Sequence, residues 1–180
     1  MKIGIDISQL TYKNTGVANY LADLILGLIQ NDRKNEYLLF YSSLRGELGK
    51  GLKSKFAAPN VILKEYKLPP ILLDLLWNRL HVLPIETFIG PVDIFITSDW
   101  VEPPVRRAKK ATILYDLIVY KYPQESTQKI VETQKRKLKW VKKESNAIFC
   151  ISKSTMQDAI EILKIPKEKL YVIYPGVTEL

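Results

Sequence analysis

Apolar positions along the chain switch repeatedly between short continuous runs and helical spacing. Residues 2–7, Lys2-Ile3-Gly4-Ile5-Asp6-Ile7, form a β-rich run at the terminus. A polar loop, 8–16, follows. From there Val17, Leu21, Leu24, Ile25 and Leu28 fall within about 100° of one another on a 3.6-residue wheel, which predicts an amphipathic helix. Asn14 and Thr15 supply N-cap chemistry before it, and Asn31-Asp32 end it. Residues 36–41 (Glu-Tyr-Leu-Leu-Phe-Tyr) read as a second strand, so the first forty residues make a β–α–β unit.

The alternation continues to the last residues. Residues 42–60 turn to Gly, Lys and Ser, with Leu44, Leu48 and Leu52 at spacing four, and predict a surface loop with one short helix. Strands are expected at 61–66, 92–97, 111–115, 147–151 and 170–174. Helices are expected at 71–82, opened by Pro69-Pro70, and at 126–143 and 154–163. Strands alternating with helices call for a mainly parallel, doubly wound sheet of about seven strands, Rossmann-like, with helices on both faces. No internal repeat or linker interrupts residues 1–180, which read as one domain.

Composition narrows the chemistry. The chain has 180 residues, 47% hydrophobic and 26% charged, with ten Tyr, five Phe and three Trp, which excludes disorder. Its single cysteine, Cys150, rules out an intrachain disulfide and a cysteine-based zinc site; the lone His81 removes most imidazole metal sites. Both read as structural. No metal site is expected. The formal charge of +8 favours anionic partners. Asp6 comes too early for a signal peptide, and the apolar stretches 21–29 and 71–77 are interrupted by Asp23 and Asp74, too short to span a bilayer. These features predict a cytoplasmic protein that touches a membrane from the side.

Ligands of an open parallel sheet bind beyond the carboxyl ends of its strands. Residues 8–16, 41–43, 98–100, 115–116 and 152–154 converge on that edge, each bringing polar groups after an apolar strand. Gly16 has two readings: an open helix N-terminus that takes a phosphate or hydroxyl, or a glycine that only turns the chain. Asp116 either orients a hydroxyl or caps the following loop. Ser152 faces a phosphate or belongs to a capping segment in which Ser154 and Gln157 have capping-box spacing. On the 126–143 helix, Lys135, Arg136, Lys139, Lys142 and Lys143 lie opposite the apolar face. That face is a solvated cationic surface or an anionic-lipid contact, each lysine near a lipid surface being worth about 1 kcal/mol. No specific nucleic-acid motif accompanies it.

Four segments in order resemble the N-terminal domain of GT-B glycosyltransferases of the group 1 (GT4) family. Ile5-Asp6-Ile7 with Thr15-Gly16-Val17-Ala18-Asn19-Tyr20 resembles the opening strand and G-I/V-x-x-Y. Pro91-Val92-Asp93-Ile94-Phe95 with Pro103-Pro104 is similar to the D-I/L-F/V strand and its proline loop. Ala111-Thr112-Ile113-Leu114-Tyr115-Asp116-Leu117 before Tyr122-Pro123 resembles T-x-H-D-L…P. Ile151-Ser152-Lys153-Ser154 with residues 165–177 (Ile-Pro-Lys-Glu-Lys-Leu-Tyr-Val-Ile-Tyr-Pro-Gly-Val) is similar to V-S-x-x-S…P-x-x-K-I/L-x-V-I-x-x-G-V.

The resemblance implies the acceptor-side half of a retaining enzyme that moves a sugar from a nucleotide-sugar to a glycan or lipid-linked acceptor, as in polysaccharide biosynthesis. The nucleotide-sugar is a substrate bound mainly by a C-terminal domain absent from these residues, and no cofactor is implied. The chain alone is expected to be inactive. By the same resemblance Asp116 and Tyr115 are the expected catalytic pair, Tyr115 standing where the family has histidine. Thr15, Gly16, Asn19, Ser98, Asp99 and Ser152 are the expected donor- or acceptor-binding residues. Lys135, Arg136, Lys139, Lys142 and Lys143 are the expected contact with an anionic membrane, on its cytoplasmic face. The alternative is a free-standing, non-catalytic module that binds a sugar or a protein partner.

Overall fold

The computed structural model describes residues 1–12, 15–98 and 100–176. Among these, seven strands form one sheet: β1 (Lys2–Asp6), β2 (Glu36–Ser42), β3 (Val61–Tyr66), β4 (Ile94–Thr97), β5 (Lys109–Leu114), β6 (Ala147–Cys150) and β7 (Leu170–Val172). Their order is β3-β2-β1-β4-β5-β6-β7 and every neighbouring pair is parallel. The order reverses between β1 and β4, the switch point at which a doubly wound sheet opens a crevice. The Rossmann-like fold expected from the alternation is the fold observed.

Helices α1 (Gly16–Asn31), α2 (Lys50–Lys55), α3 (Pro70–Leu73), α4 (Glu86–Ile89), α5 (Ile118–Lys121), α6 (Gln128–Glu144) and α7 (Lys153–Glu161) connect the strands. Strand side chains alternate between the faces. Tyr37, Leu39 and Tyr41 of β2 enter a core with Leu21, Ile25 and Ile29 of α1, whereas Leu38 and Phe40 enter the opposite one with Trp77, Ile85 and Phe95. A third cluster joins Leu138 and Val141 of α6 and Ala159 of α7 to Leu114, Ile148 and Cys150. Cys150 is a small core residue there, and burial pushes its thiol up to about 11. Gly4 lies beside Phe95 of the neighbouring strand β4, where a Cβ would stand 2.7 Å from the Phe95 ring and 2.8 Å from Ile89 Cδ1, so a side chain there forces these to shift.

Two local expectations are corrected. The helix expected at 71–82 is α-helical only over Pro70–Leu73 and then widens into a π-helix, Asp74–Arg79, in which the Leu80 N–H donates to Leu75 O, five residues back. The fully buried Trp77 ring packs against Phe40 and Phe88 at 5.8 and 5.6 Å, and its indole N–H donates to Leu83 O. That tertiary anchor holds the wide turn. His81 follows it, stacked on Trp140 at 3.5 Å, with its ring nitrogens 2.7 Å from Trp77 O and 2.8 Å from Glu144 Oε1. The second correction concerns β5, which starts at Lys109, before the expected Ala111, and so buries Lys110. That ammonium is 1% exposed, 3.3 Å from Glu102 Oε1 and 3.0 Å from Glu144 Oε2. Glu102 Oε2 in turn accepts the Thr97 hydroxyl at 2.7 Å.

Candidate functional site

The carboxyl edge of the sheet brings together most of the expected residues, with Tyr115 at the centre. Its ring, 8% exposed, meets the Tyr20 ring of α1 edge-on at 5.7 Å. Its hydroxyl lies 3.3 Å from Ser98 Oγ, just past β4, and its carbonyl accepts the Thr155 hydroxyl of α7 at 3.0 Å. The Tyr20 hydroxyl donates onward to Ile173 O beyond β7 at 3.2 Å. Ser98 is buried, and its carbonyl accepts from the buried Lys137 ammonium of α6 at 2.7 Å.

Thr15 caps α1: its hydroxyl accepts the Ala18 N–H at 3.1 Å. Gly16 has no positive φ, so no left-handed turn requires a glycine here, and a Cβ there would meet nothing within 4 Å among the described residues. Asn19 is exposed one turn further on. Asp116 is exposed and its Oδ1 accepts the Ile118 N–H at 3.0 Å, the loop-capping geometry. Ser152, not Ser154, caps α7, accepting the Thr155 N–H at 3.0 Å; the expected Ser154–Gln157 capping box does not form, and Gln157 bonds Glu161 instead. Asp99 lies outside the described residues.

Two cavities open along this edge and share Trp100 and Ile130 as walls. One, of about 220 Å³, lies over β5 and is lined by Tyr115, Asp116 and Val17. The other, of about 770 Å³, lies over the ends of β1 and β2 and is lined by Asp6, Gln9 and Ser42 together with Ile71, Leu73 and Val101.

The sequence matches Glycosyltransferase Family 4 over residues 14–179. The chain belongs to glycosyltransferase family 4. The match takes in the quoted motifs from Thr15 onward; Ile5-Asp6-Ile7 lies before it. No curated protein matches the chain. Among solved structures it is similar to a short-chain dehydrogenase/reductase (ethylated) from Veillonella parvula DSM 2008, at 10% identity and TM-score 0.47, over 83% of this chain and 67% of that one. A second, wide-type short-chain dehydrogenase/reductase from the same organism, in complex with NADP, is similar at 9% identity and TM-score 0.46, over 83% and 68%.

In this family 4 domain the basic face of α6 is narrower than the wheel indicates. Lys135, Lys139, Lys142 and Lys143 are exposed, but Arg136 is turned into the wall of the larger cavity, its Nη2 3.1 Å from Asp74 Oδ2 and 3.0 Å from Thr133 Oγ1. Asp6 and Gln9 were not among the expected site residues. Asp6 is the last residue of the strand beside the switch point, a position that marks it. It is 3% exposed; burial pushes its carboxyl up, opposed by two hydrogen bonds from Ser8 and by the Lys137 charge. No local pattern marks Gln9, which is buried in a short 3-10 turn.

Proposed function

We propose that this chain is the acceptor-side half of a retaining glycosyltransferase that moves a sugar from a nucleotide-sugar to a glycan or lipid-linked acceptor, and that turnover requires a separate nucleotide-sugar-binding domain. One observation carries the reading. Four segments of the family 4 chain, distant in sequence, meet at Tyr115 through Tyr20, Ser98 and Thr155 on one sheet edge. The Gly16 and Val17 N–H groups at the start of α1, which Thr15 does not cap, take a donor phosphate or a sugar hydroxyl. Asp116 holds its loop with one carboxylate oxygen and orients an acceptor hydroxyl with the other. The departing nucleoside diphosphate is stabilised by preorganised donors on the second domain.

The reading extends to a cytoplasmic membrane surface. Lys143 Nζ sits 4.8 Å over the Trp140 ring, Trp140 stacks on His81, and the flanking Leu80, Val82 and Leu83 are exposed. A row of lysines thus adjoins exposed apolar side chains, a pairing suited to anionic lipid. No helix among the described residues is long and apolar enough to cross a membrane.

The test is transfer from a panel of labelled nucleotide-sugars to oligosaccharide and lipid-linked acceptors, by the 180-residue chain and by a protein joining it to a nucleotide-sugar-binding domain. Transfer is expected only from the joined protein, and Asp116→Asn lowers it about 100-fold through lost orientation. Turnover by the chain alone overturns the two-domain requirement, and no transfer from any donor overturns the assignment. The inward engagement of the Tyr115 phenol favours a second reading, a non-catalytic module, which predicts sugar binding without transfer in the same assay.

A further inference from the structure

The two edges of the sheet are unequal. β7 has three residues, whereas β3 has six, Val61–Tyr66. Parallel register fixes which backbone groups of β3 are used. The Tyr37 N–H donates to Asn60 O at 2.8 Å and the Ser43 N–H to Tyr66 O at 3.1 Å, so residues 62, 64 and 66 bond to β2. The N–H groups of Leu63 and Glu65 and the carbonyls of Val61 and Leu63 therefore point away from the sheet. None of them has a hydrogen-bond partner among the described residues. The Val61 N–H is closed off by Ala58 O at 3.0 Å. An edge in this state is a template for one more strand.

Charge decides what that strand is. Residues 50–67 carry five lysines, Lys50, Lys53, Lys55, Lys64 and Lys67, and a single carboxylate, Glu65, which already pairs with Lys53 at 3.0 Å. That pair ties α2, which bears the first three lysines, to β3. A second copy brings the same cations against these and is repelled, whereas an acidic strand is drawn in. One face of β3 sets the choice further. Ile62, 46% exposed, and Lys64 are two residues apart and share that face. In an antiparallel pairing, the more stable kind per residue, the partner residue after the one opposite Leu63 faces Ile62 and the one before it faces Lys64.

We propose that the outer edge of β3 binds an extended acidic segment of another protein as an eighth, antiparallel strand, with an acid facing Lys64 and, two residues on, an apolar side chain facing Ile62. Leu63 and the partner residue opposite it exchange both N–H···O bonds, the Glu65 N–H donates a third, and Val61 O accepts a fourth. The main chain supplies the affinity and the alternating side chains select the partner. β2 and β1 separate this edge from the switch point, and the inference does not depend on sugar transfer.

The test is titration of the isotope-labelled 180-residue chain with a blocked octapeptide, Thr-Glu-Thr-Glu-Val-Ile-Thr-Ser, and with a counterpart bearing lysine for both glutamates. Amide resonances and hydrogen exchange read the binding. The acidic peptide is expected to bind at least about tenfold more tightly at low ionic strength, and the ratio falls as salt rises. Exchange slows at the Leu63 and Glu65 N–H groups and is unchanged at Lys64, whose N–H is already held by β2. N-methylation of the peptide valine, which removes its donor to Leu63 O, weakens binding about five- to tenfold, the worth of one hydrogen bond. Lys64→Glu narrows the preference for the acidic peptide without lowering the melting temperature.

No binding of the acidic peptide overturns the proposal. So does equal binding of the lysine counterpart, or full affinity of the N-methylated peptide. Tight binding with unchanged exchange at Leu63 and Glu65 overturns it as well, because the lysines are then a general anion surface. Slower exchange at the same two N–H groups on raising the protein concentration, with no peptide present, assigns the edge to a second copy and overturns the acidic partner.

Discussion

The two cavities share Trp100 and Ile130 and differ in what their polar groups do. Around the smaller one, polar atoms are spent on the fold. Ser98 meets the Tyr115 hydroxyl, Thr155 meets the Tyr115 carbonyl, Ser152 holds Thr155, and Asp116 holds Ile118. At the larger one, Gln9 Oε1 has no hydrogen-bond partner among the described residues, and Asp6 is buried with both bonds from Ser8 on Oδ1. Residues that carry a family's motif are therefore not automatically the ones with binding capacity to spare. Here the motif side chains Tyr115, Asp116 and Ser152 tie strand ends to helix starts, whereas Asp6, in the opening motif, lines the larger cavity one strand pair away.

The contrast is most sharply tested beneath β4 and β5, where the tied network runs deepest. Lys110 and Glu102 are both essentially inaccessible and face each other at 3.3 Å. Lys110→Met leaves Glu102 as a buried carboxylate without its cation, an uncompensated charge that costs about 3–5 kcal/mol. Urea unfolding measures the loss, and adding Glu102→Gln recovers part of it because the orphaned charge is then gone. A cost below about 1 kcal/mol would mean that this side is as slack as the Gln9 side, and the distinction would fail.

A smaller effect separates two serines two residues apart. Ser152→Ala removes the α7 cap and costs about 1 kcal/mol, while the exposed Ser154→Ala changes stability little. The reverse order would restore the capping box expected from spacing. These serines show where legibility ends. The existence and approximate place of the strands follow from local apolar runs such as 36–41, whose burial is decided by their own side chains, whereas the sheet order is set by pairing between distant segments. Which serine of Ser152-Lys153-Ser154 stands outside the helix depends on how far β6 pairs, and that is set by β5: the Ile151 N–H still donates to Leu114 O. Arg136 is likewise drawn off the basic face by Asp74, and Trp77 holds a π-turn by packing on Phe40, contacts between segments far apart in the chain. Gln9 lies in the 8–16 segment expected at this edge, but its burial in a 3-10 turn is not written in the local pattern.

The smallest effect is one of sign. Burial pushes the Asp6 carboxyl above its ordinary range despite Ser8 and Lys137. Glu144 is also pushed up by burial, but Lys110 and His81 outweigh it and hold that carboxyl below the ordinary range. An acid held low binds fewer protons folded than unfolded, so its stabilisation is present above the unfolded pKa and is lost as pH falls through the folded one. An acid held high does the opposite: between the unfolded pKa and the raised folded one, stability declines as pH rises. The stability difference between wild type and Glu144→Gln should therefore grow with increasing pH from the folded pKa toward about 4.3, the ordinary glutamate value. The difference between wild type and Asp6→Asn should shrink with increasing pH above about 3.9, the ordinary aspartate value. Urea titrations at a series of acidic to neutral pH values read both slopes. Two slopes of the same sign would place Asp6 among the satisfied carboxylates and remove the electrostatic difference between it and Glu144. Opposite slopes would keep that difference, with the cation and imidazole beside Glu144 as its cause and the burial that Ser8 and Lys137 do not outweigh at Asp6 as its counterpart.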